Sequence, residues 1–251
     1  MAVQQTNLDT IANNLANVNT TAFKSQRPQF QDLMYQTTQA SGSSQDGTNS
    51  TPSPLQIGLG AKFSSNISDL TQGALQVTGN PLNLAITGNG FFQVTGPNGQ
   101  TVYTRDGTFQ QDVNGQLVTS DGYPLADDIT LPSGATAITI SQSGVVSAQL
   151  PSSPQVTQIG KISVVTFPNA AGLTRIGGNI YVSGGASGEP SPETPGTNGA
   201  GTIQSGSLEG SNVSVVTEMT QMILAQRAYE MNSKVVQTAD SMLSTTTSMK
   251  Q

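Results

Sequence analysis

Two apolar stripes with helical spacing lie at opposite ends of this chain of 251 residues, and they limit its possible folds more than any other feature. The first stripe consists of Leu8, Ile11, Leu15 and Val18. The second consists of Met219, Met222, Ile223, Tyr229, Val236 and Leu243. Steps of three and four residues place the first set on one helix face, and the second set lies close to a heptad seam. The pattern predicts a short helix near the start and a long helix from about Ser214 to Leu243.

The two predicted helices differ in length. At about 1.5 Å per residue, residues 214–243 span about 45 Å and residues 4–18 only about 22 Å. One short partner therefore leaves about half of the long stripe in water, which a soluble monomer rarely tolerates. The mismatch predicts contacts with other subunits, and heterologous contacts that do not close give helical filaments.

Short apolar runs separated by turn signals fill the middle of the chain, from about residue 67 to residue 183. Leu84–Thr87 and Phe91–Val94 are predicted strands on either side of a glycine-rich turn. Asn98-Gly99 and Asn114-Gly115 are predicted hairpin turns in which both residues take a positive φ. The predicted class is α+β, with N- and C-terminal amphipathic helices forming a coiled-coil-like domain and a central antiparallel β domain.

Two segments, Thr37–Pro54 and Gly184–Thr202, contain no Leu, Ile, Val, Phe or Met. Both are rich in Ser, Gly, Thr and Pro, so neither is expected to contribute to a core. Each is interpreted either as a flexible linker or as an extended arm that becomes ordered against a neighbour.

The composition excludes several kinds of chemistry. The chain has no Cys, His or Trp, which rules out Cys nucleophiles, Ser-His-Asp triads, disulfides and Cys/His zinc sites. Its nine Lys and Arg residues are dispersed, so no nucleic-acid surface is predicted. No apolar run approaches the length of about 18 residues that a membrane span needs. The start lacks a basic region followed by an apolar stretch, so no cleavable secretory signal is expected.

The remaining polar motifs are better explained as turns. Gly88-Asn89-Gly90 lacks the third glycine of a dinucleotide fingerprint, and Asp112–Gly115 lacks the closing Glu of a calcium loop. Asp127 and Asp128 are adjacent, and neighbours in an extended chain point to opposite sides. No catalytic, cofactor or metal site is predicted. The rival class is a secreted β-domain enzyme or carbohydrate-binding protein, which needs a pocket with convergent polar groups and a perturbed acid.

Four parts of the chain resemble motifs of the bacterial flagellar rod and hook proteins, in the order expected for that family. The first part runs from residue 13 to residue 24 and contains Asn13, Asn14, Asn17, Phe23 and Lys24. The second runs from residue 84 to residue 94, contains Gly90, Phe91 and Phe92, and continues through residues 103–109 and 112–118. The third is Leu208–Val213, which resembles the entry to the family's C-terminal helix. The fourth lies in that helix and contains Gln226 and Arg227.

The resemblance implies a structural, non-enzymatic subunit of the distal rod that polymerises into a stiff tubular drive shaft and transmits torque from motor to hook. The two apolar stripes would be its polymerisation helices. The implied partners are further copies of the chain, proximal rod and hook subunits, basal-body ring proteins and the flagellar type III export apparatus. The implied location is the periplasmic rod of the basal body, reached without a cleavable signal. A proximal rod or hook subunit is the alternative within the family.

The resemblance also divides the chain into four segments. These are an N-terminal helical segment (1–34), an extended rod-specific arm (35–66), a central β domain (67–205) and a C-terminal helical segment (206–251) that packs with the first. Family members usually begin earlier, with an apolar helical segment before the position that matches Gln4 and Gln5. The resemblance therefore implies that Met1 is a misassigned start or that the chain is a fragment.

Overall fold

The computed structural model describes residues 1–39, 53–132, 134–135, 137–150 and 153–249. These residues divide into two compact units. The first, here called the helical unit, comprises Met1–Leu15, Gln26–Ile67 and Val215–Gln251. The second, here called the β body, comprises Ala16–Ser25 and Ser68–Ser214. Residues 40–52, which form most of the predicted linker or arm Thr37–Pro54, lie outside the described residues.

The helical unit contains both helices, α1 (Ala2–Ala16) and α2 (Val215–Ser248). α2 has 34 residues and contains neither Gly nor Pro, so nothing in its sequence interrupts the helix. It continues five residues beyond the predicted end at Leu243. α1 ends at Ala16, so Val18 of the predicted stripe lies beyond its C-terminus. Within the described residues, neither helix is both long and apolar enough to cross a membrane.

The described residues of the helical unit also form two two-stranded ribbons. Its strands are β1 (Gln26–Asp32), β2 (Tyr35–Gln39), β3 (Leu55–Gly58) and β4 (Ala61–Ser68). β1 pairs with β4, and β2 pairs with β3 in antiparallel order. Tyr35 stands opposite Gly58, and a Cβ at Gly58 would lie 3.3 Å from Cε1 of its ring.

The described residues of the β body form fifteen short strands. They are β5 (Leu75–Val77), β6 (Leu84–Thr87), β7 (Phe92–Thr95), β8 (Thr101–Thr104), β9 (Gln110–Gln111), β10 (Leu117–Val118), β11 (Ala137–Ile140), β12 (Val145–Leu150), β13 (Ser153–Lys161), β14 (Val164–Thr166), β15 (Thr174–Gly177), β16 (Ile180–Val182), β17 (Ser191–Glu193), β18 (Thr202–Ser205) and β19 (Ser207–Glu209). The largest sheet has the order β15-β16-β8-β7, and a second has the order β11-β12-β13. The other strands pair as β5 with β19, β6 with β18, β9 with β10 and β14 with β17. All of these pairings are antiparallel, which confirms the α+β class and the antiparallel β region.

Two apolar clusters form the core of the β body. Phe92 belongs to the larger cluster and packs edge-on against Phe109, with ring centroids 5.2 Å apart. Phe91 belongs to the smaller cluster and packs against Tyr181 at 5.4 Å. Consecutive residues of an extended chain point to opposite sides, so this Phe-Phe pair supplies one ring to each cluster.

The predicted hairpins at Asn98-Gly99 and Asn114-Gly115 are confirmed, but the predicted turn geometry is wrong. β7 pairs with β8 and β9 pairs with β10, yet only the glycines have positive φ, +73° at Gly99 and +83° at Gly115. A 3₁₀ turn at Pro97–Gly99 makes the first connection. A two-residue turn with positive φ at both positions is found instead at Gly178 and Asn179, between β15 and β16.

The prediction that Gly184–Thr202 is either a linker or an arm ordered against a neighbour is also wrong. β17 lies within this segment and pairs with β14 of the same chain. Ser187 is fully buried, and its hydroxyl donates to the carbonyl of Gly184 at 2.8 Å. Backbone pairing and hydroxyl hydrogen bonds therefore order a segment that lacks large apolar side chains.

Gly90 provides a test of close packing in the β body. Its φ is +133°, and a Cβ there would lie 2.1 Å from Cγ1 of Val164. We expect Gly90→Ala to lower the free energy of unfolding by about 3 kcal/mol or more, because it adds both backbone strain and a clash. The control is Gly122→Ala, where φ is +85° and no atom lies within 4 Å, with an expected loss of about 1 kcal/mol. Urea unfolding followed by circular dichroism measures both, and equal losses would contradict the role of Val164.

Candidate functional site

A buried ion cluster joins the N-terminal segment of the β body to its last strand. The ammonium of Lys24 donates to Oε1 of Glu209 at 2.5 Å, and both side chains are fully buried. Nε of Arg105 lies 3.3 Å from the other carboxylate oxygen, close enough for an ion pair but without the alignment of a hydrogen bond. Lys24 and Glu209 are 185 residues apart in the sequence, so the cluster links residues near the first and the last part of the chain in the β body.

The backbone supplies further hydrogen bonds to this cluster. Lys24 also donates to the carbonyl of Thr71 at 2.7 Å, and the amide of Gly73 donates to Oε1 of Glu209 at 2.9 Å. A Cβ at Gly73 would lie 2.0 Å from the carbonyl oxygen of Gly210, so only glycine fits here. Lys24 and Glu209 are thus both hydrogen-bonded, as buried charges require, and Nη2 of Arg105 donates to the carbonyl of Gly88.

The electrostatics of the cluster depend on Glu209. Burial lowers the pKa of Lys24, the nearby Arg105 lowers it further, and Glu209 opposes both effects. Burial also lowers the pKa of Arg105, again against the attraction of Glu209. One carboxylate therefore holds two buried cations, and its removal would leave both without a counter-charge.

Main-chain bonds align the segment around Lys24 with the chain that follows Glu209. Ala22, in the left-handed region at φ +56°, donates its amide hydrogen to the carbonyl of Glu209 at 2.8 Å. The amide of Ser25 donates to Oδ1 of Asn212 at 2.7 Å. Nδ2 of Asn212 donates to the carbonyl of Asp69 at 2.9 Å. The two places where the chain leaves the β body for β1 and for α2 are therefore bonded side by side.

Arg175 and Asn179, from the hairpin of β15 and β16, hold the same N-terminal segment. The guanidinium of Arg175 lies over the ring of Phe23, 4.9 Å from its centroid, and donates to the carbonyl of Lys24 at 3.0 Å. Nδ2 of Asn179 donates to the carbonyl of Thr21 at 2.8 Å. Neither Arg175 nor Asn179 was predicted to have this role. The sequence signal for Asn179 is the Gly-Asn turn at 178–179, which places this residue in the left-handed region.

In the helical unit, α1 packs against the first turns of α2. Nδ2 of Asn14 donates to Oε1 of Glu218 at 3.3 Å and to the carbonyl of Gln26 at 2.9 Å. Oδ1 of Asn14 accepts the amide hydrogen of Gln26 at 2.9 Å. Nearer the start of α1, a groove of about 320 Å³ lies between the two helices; it is lined by Gln4, Asn7, Gln221, Leu224, Ala225 and Ala228.

The residues predicted from the two stripes differ in burial. On the N-terminal side, Ile11 is buried, and Leu8, Leu15 and Val18 are half-buried. On α2, Met222 is half-buried, and the exposed residues are Met219, Ile223, Tyr229, Val236 and Leu243. The buried residues of α2 are instead Glu218 and Ala225. The packing of the exposed residues in a polymer stays a prediction.

The residues of the resembling motifs fall into two groups. The buried ones are Asn14, Phe23, Lys24, Gly90, Phe91 and Phe92. Asn17 is half-buried and accepts a hydrogen bond from the hydroxyl of Thr20, and Asn13 is exposed. Gln226 and Arg227 are exposed on α2. Arg227 pairs with Glu230 at 3.1 Å on the surface of the helix.

A cavity of about 540 Å³ in the β body is the place where catalytic chemistry would be expected. Its polar lining consists of Asn89, Arg105, Thr166, Ser191 and Asn198, without a carboxylate among the described lining residues. Burial raises the pKa of Asp106, but this carboxylate accepts hydrogen bonds from the amide and hydroxyl of Thr108 and closes a turn. No three acids in the described ranges come together as a metal site.

Comparison with protein families gives three matches along the chain. Residues 1–24 match the family described as flagella basal body rod protein. Residues 85–148 match the flagellar hook protein FlgE/F/G D1 domain. Residues 204–249 match the flagellar basal body rod FlgEFG protein C-terminal family.

Curated relatives match over nearly the full length. The flagellar basal-body rod protein FlgG of Caulobacter vibrioides is 46% identical over 252 residues, which cover 100% of this chain and 96% of the relative. The FlgG protein of Buchnera aphidicola subsp. Acyrthosiphon pisum is 45% identical, with 96% of this chain and 92% of the relative covered. The flagellar basal-body rod protein FlgF of Caulobacter vibrioides is 36% identical, with 91% and 85% covered. The chain is therefore more similar to the FlgG than to the FlgF protein of that organism.

The ion cluster makes a direct prediction about stability. We expect Glu209→Gln to lower the free energy of unfolding by about 3–5 kcal/mol, because it leaves Lys24 and Arg105 buried without a counter-charge. The control is Glu230→Gln, whose partner Arg227 is 73% exposed, with an expected loss of at most about 0.5 kcal/mol. Guanidinium unfolding measures both variants. A loss at Glu209 as small as that at Glu230 would contradict the account.

The helix pair is expected to be more stable in mild acid. Burial raises the pKa of Glu218 above its ordinary value of 4.5, while the hydrogen bond from Asn14 and the charge of Arg27 oppose the shift. The folded helix pair therefore binds a proton at Glu218 more tightly than the unfolded chain. The contribution of this proton to stability is fully present below pH 4.5 and is lost as the pH rises through the raised pKa. Thermal unfolding followed at 222 nm should show this fall, and Glu218→Gln should remove that part of it. The same pH dependence in the variant would rule out Glu218 as its source.

Proposed function

The chain belongs to the flagellar basal-body rod protein family, and we propose that it forms the distal part of the rod, where its copies polymerise into a stiff tubular drive shaft that transmits torque from motor to hook. As a rod protein it is a structural subunit of the flagellar basal body and not an enzyme. The greater identity to FlgG than to FlgF supports this type of rod subunit over others of the family.

The exposed apolar face of α2 carries the polymer proposal. Met219, Ile223, Val236 and Leu243 are 51%, 57%, 52% and 67% exposed in the single chain. A helix that exposes such a row of large apolar side chains requires a partner in water. In the proposed rod, α1 and α2 of neighbouring copies cover this face as a coiled-coil-like inner layer, and the central domain 67–205 forms the outer layer.

The β1–β4 and β2–β3 ribbons support a second contact between copies. Met34, Tyr35, Leu55, Ile57 and Leu59 are all more than half exposed on these ribbons or beside them. A two-stranded ribbon is marginal in water without a packed face. In the proposal, segment 35–66 is an arm that bridges neighbouring subunits and stiffens the shaft.

The other proposed partners follow from the location. In the proposed rod, the polymer of these subunits joins proximal rod and hook subunits at its two ends and turns inside basal-body ring proteins. Each subunit reaches the periplasm through the flagellar type III export apparatus without a cleavable signal. In this scheme the segments 1–34 and 206–251 form the helical layer.

Deletion of the gene in the source bacterium tests the proposal. We expect its deletion to abolish motility and to give isolated basal bodies with shortened rods in electron micrographs. Full-length rods in the deletion strain would overturn the proposal.

A matched pair of variants tests the polymer contact. We expect Ile223→Asp to prevent complete rods, because burial of a carboxylate in an apolar contact between helices costs several kcal/mol. Gln237→Asp adds the same charge at another exposed position of α2 and should support rod assembly. Equal rod assembly by both variants would contradict the contact through Ile223.

A further inference from the structure

The contact between α1 and α2 contains few buried apolar side chains among the described residues, namely Ile11 on α1 and Ala225 on α2. On α2, small Ala225 and Ala228 face the groove between the helices. Farther along the helix stand the large side chains of Met231 and Val235, which are 63% and 68% exposed. Apolar side chains therefore continue along α2 beyond the observed contact. Because hydrophobic burial is not directional, it does not by itself exclude an alignment in which α1 is shifted toward them.

One polar pair opposes that shift. Glu218 is buried at the start of α2, and its Oε1 accepts a hydrogen bond from Asn14. Both Nδ2 hydrogens of Asn14 are engaged, one by Glu218 and the other by the carbonyl of Gln26. Its Oδ1 accepts the amide hydrogen of Gln26, so the amide cannot be turned over without opposing oxygen to oxygen. Arg27, from β1, is the charged group that faces the carboxylate.

We propose that Asn14 and Glu218 are positioning residues that set the antiparallel register of α1 on α2. A shifted helix would leave the carboxylate of Glu218 without its donor, and a buried charge without a partner is costly. A single polar pair in a helix–helix contact is a known means of selecting one register at some cost in stability. The inference concerns the single chain and does not rest on its membership of the rod.

The groove residues agree with the register that this pair defines. Asn7 stands seven residues before Asn14, and Ala225 stands seven residues after Glu218. Gln4 and Ala228 stand ten residues away in the same sense. Antiparallel helices in contact advance by equal steps in opposite directions, so Asn7 lies level with Ala225 and Gln4 with Ala228.

The rate of disulfide formation between two introduced cysteines reports the register of α1 on α2. The chain has no Cys of its own, so no other thiol competes. The first pair, Asn7→Cys with Ala225→Cys, reports the observed register. The second pair, Asn7→Cys with Asn232→Cys, reports a shift of one heptad; in the observed register its two positions are about 10 Å apart along the helix axis, beyond disulfide range. Each pair is placed in the full chain with Glu218 intact, with Glu218→Gln or with Glu218→Leu. Gln keeps an acceptor for Asn14, and Leu removes it without disturbing the bonds between Asn14 and Gln26.

We expect the first pair to oxidise at least about tenfold faster than the second when residue 218 is Glu or Gln. With Glu218→Leu we expect the ratio to fall toward one, with helicity at 222 nm unchanged. A ratio that Glu218→Leu leaves unchanged would overturn the proposal. So would equal rates with Glu218 intact, or disulfides that form only between copies on a non-reducing gel. If Glu218→Leu lowers the helicity, Asn14→Asp, which turns the donor into an acceptor, replaces it, and the same fall in the ratio is expected.

Discussion

The buried pair of Lys24 and Glu209 is the interaction on which the rest of the structure depends. It joins two positions 185 residues apart, and neither charge is tolerated in the interior without the other. Its closure places Ser25 beside Asn212, so the chain leaves the β body for β1 and for α2 from one place.

The two units use their apolar residues in opposite ways. In the β body, side chains such as Phe92, Leu84 and Val94 are fully buried, so this unit forms a hydrophobic core without a partner. In the helical unit, Ile223 and Leu243 are more than half exposed. Only Glu218 and Ala225 of α2 are buried within the single chain, among its described residues. A subunit that folds alone and then polymerises needs both features: a β body with a buried core, and helices whose exposed apolar side chains can be buried against other copies.

Local patterns predicted most of the elements but not their exact limits or their turns. Leu8, Ile11 and Leu15 of the predicted stripe lie on α1, whereas Val18 follows the end of the helix. The Asn-Gly pairs mark hairpins correctly, but a 3₁₀ turn at Pro97–Gly99 leaves positive φ to the glycine alone. Gly184–Thr202 has the composition of a linker, yet it contains β17, which pairs with β14. Such a segment can be ordered because backbone hydrogen bonds do not require apolar side chains.

The sequence by itself determined the helices, the antiparallel β region and the absence of thiol or imidazole chemistry, since periodicity, turn residues and composition are local properties. The tertiary structure alone decided which polar residues would be buried. In Ser207-Leu208-Glu209, alternation by hydrophobicity would turn Leu208 inward, whereas Ser207 and Glu209 are the buried residues. Lys24 and Arg105 make that reversal favourable, and they come from distant parts of the chain. Charge pairing across such distances leaves no periodic signal in the sequence, because its free energy arises only when the fold brings the partners together.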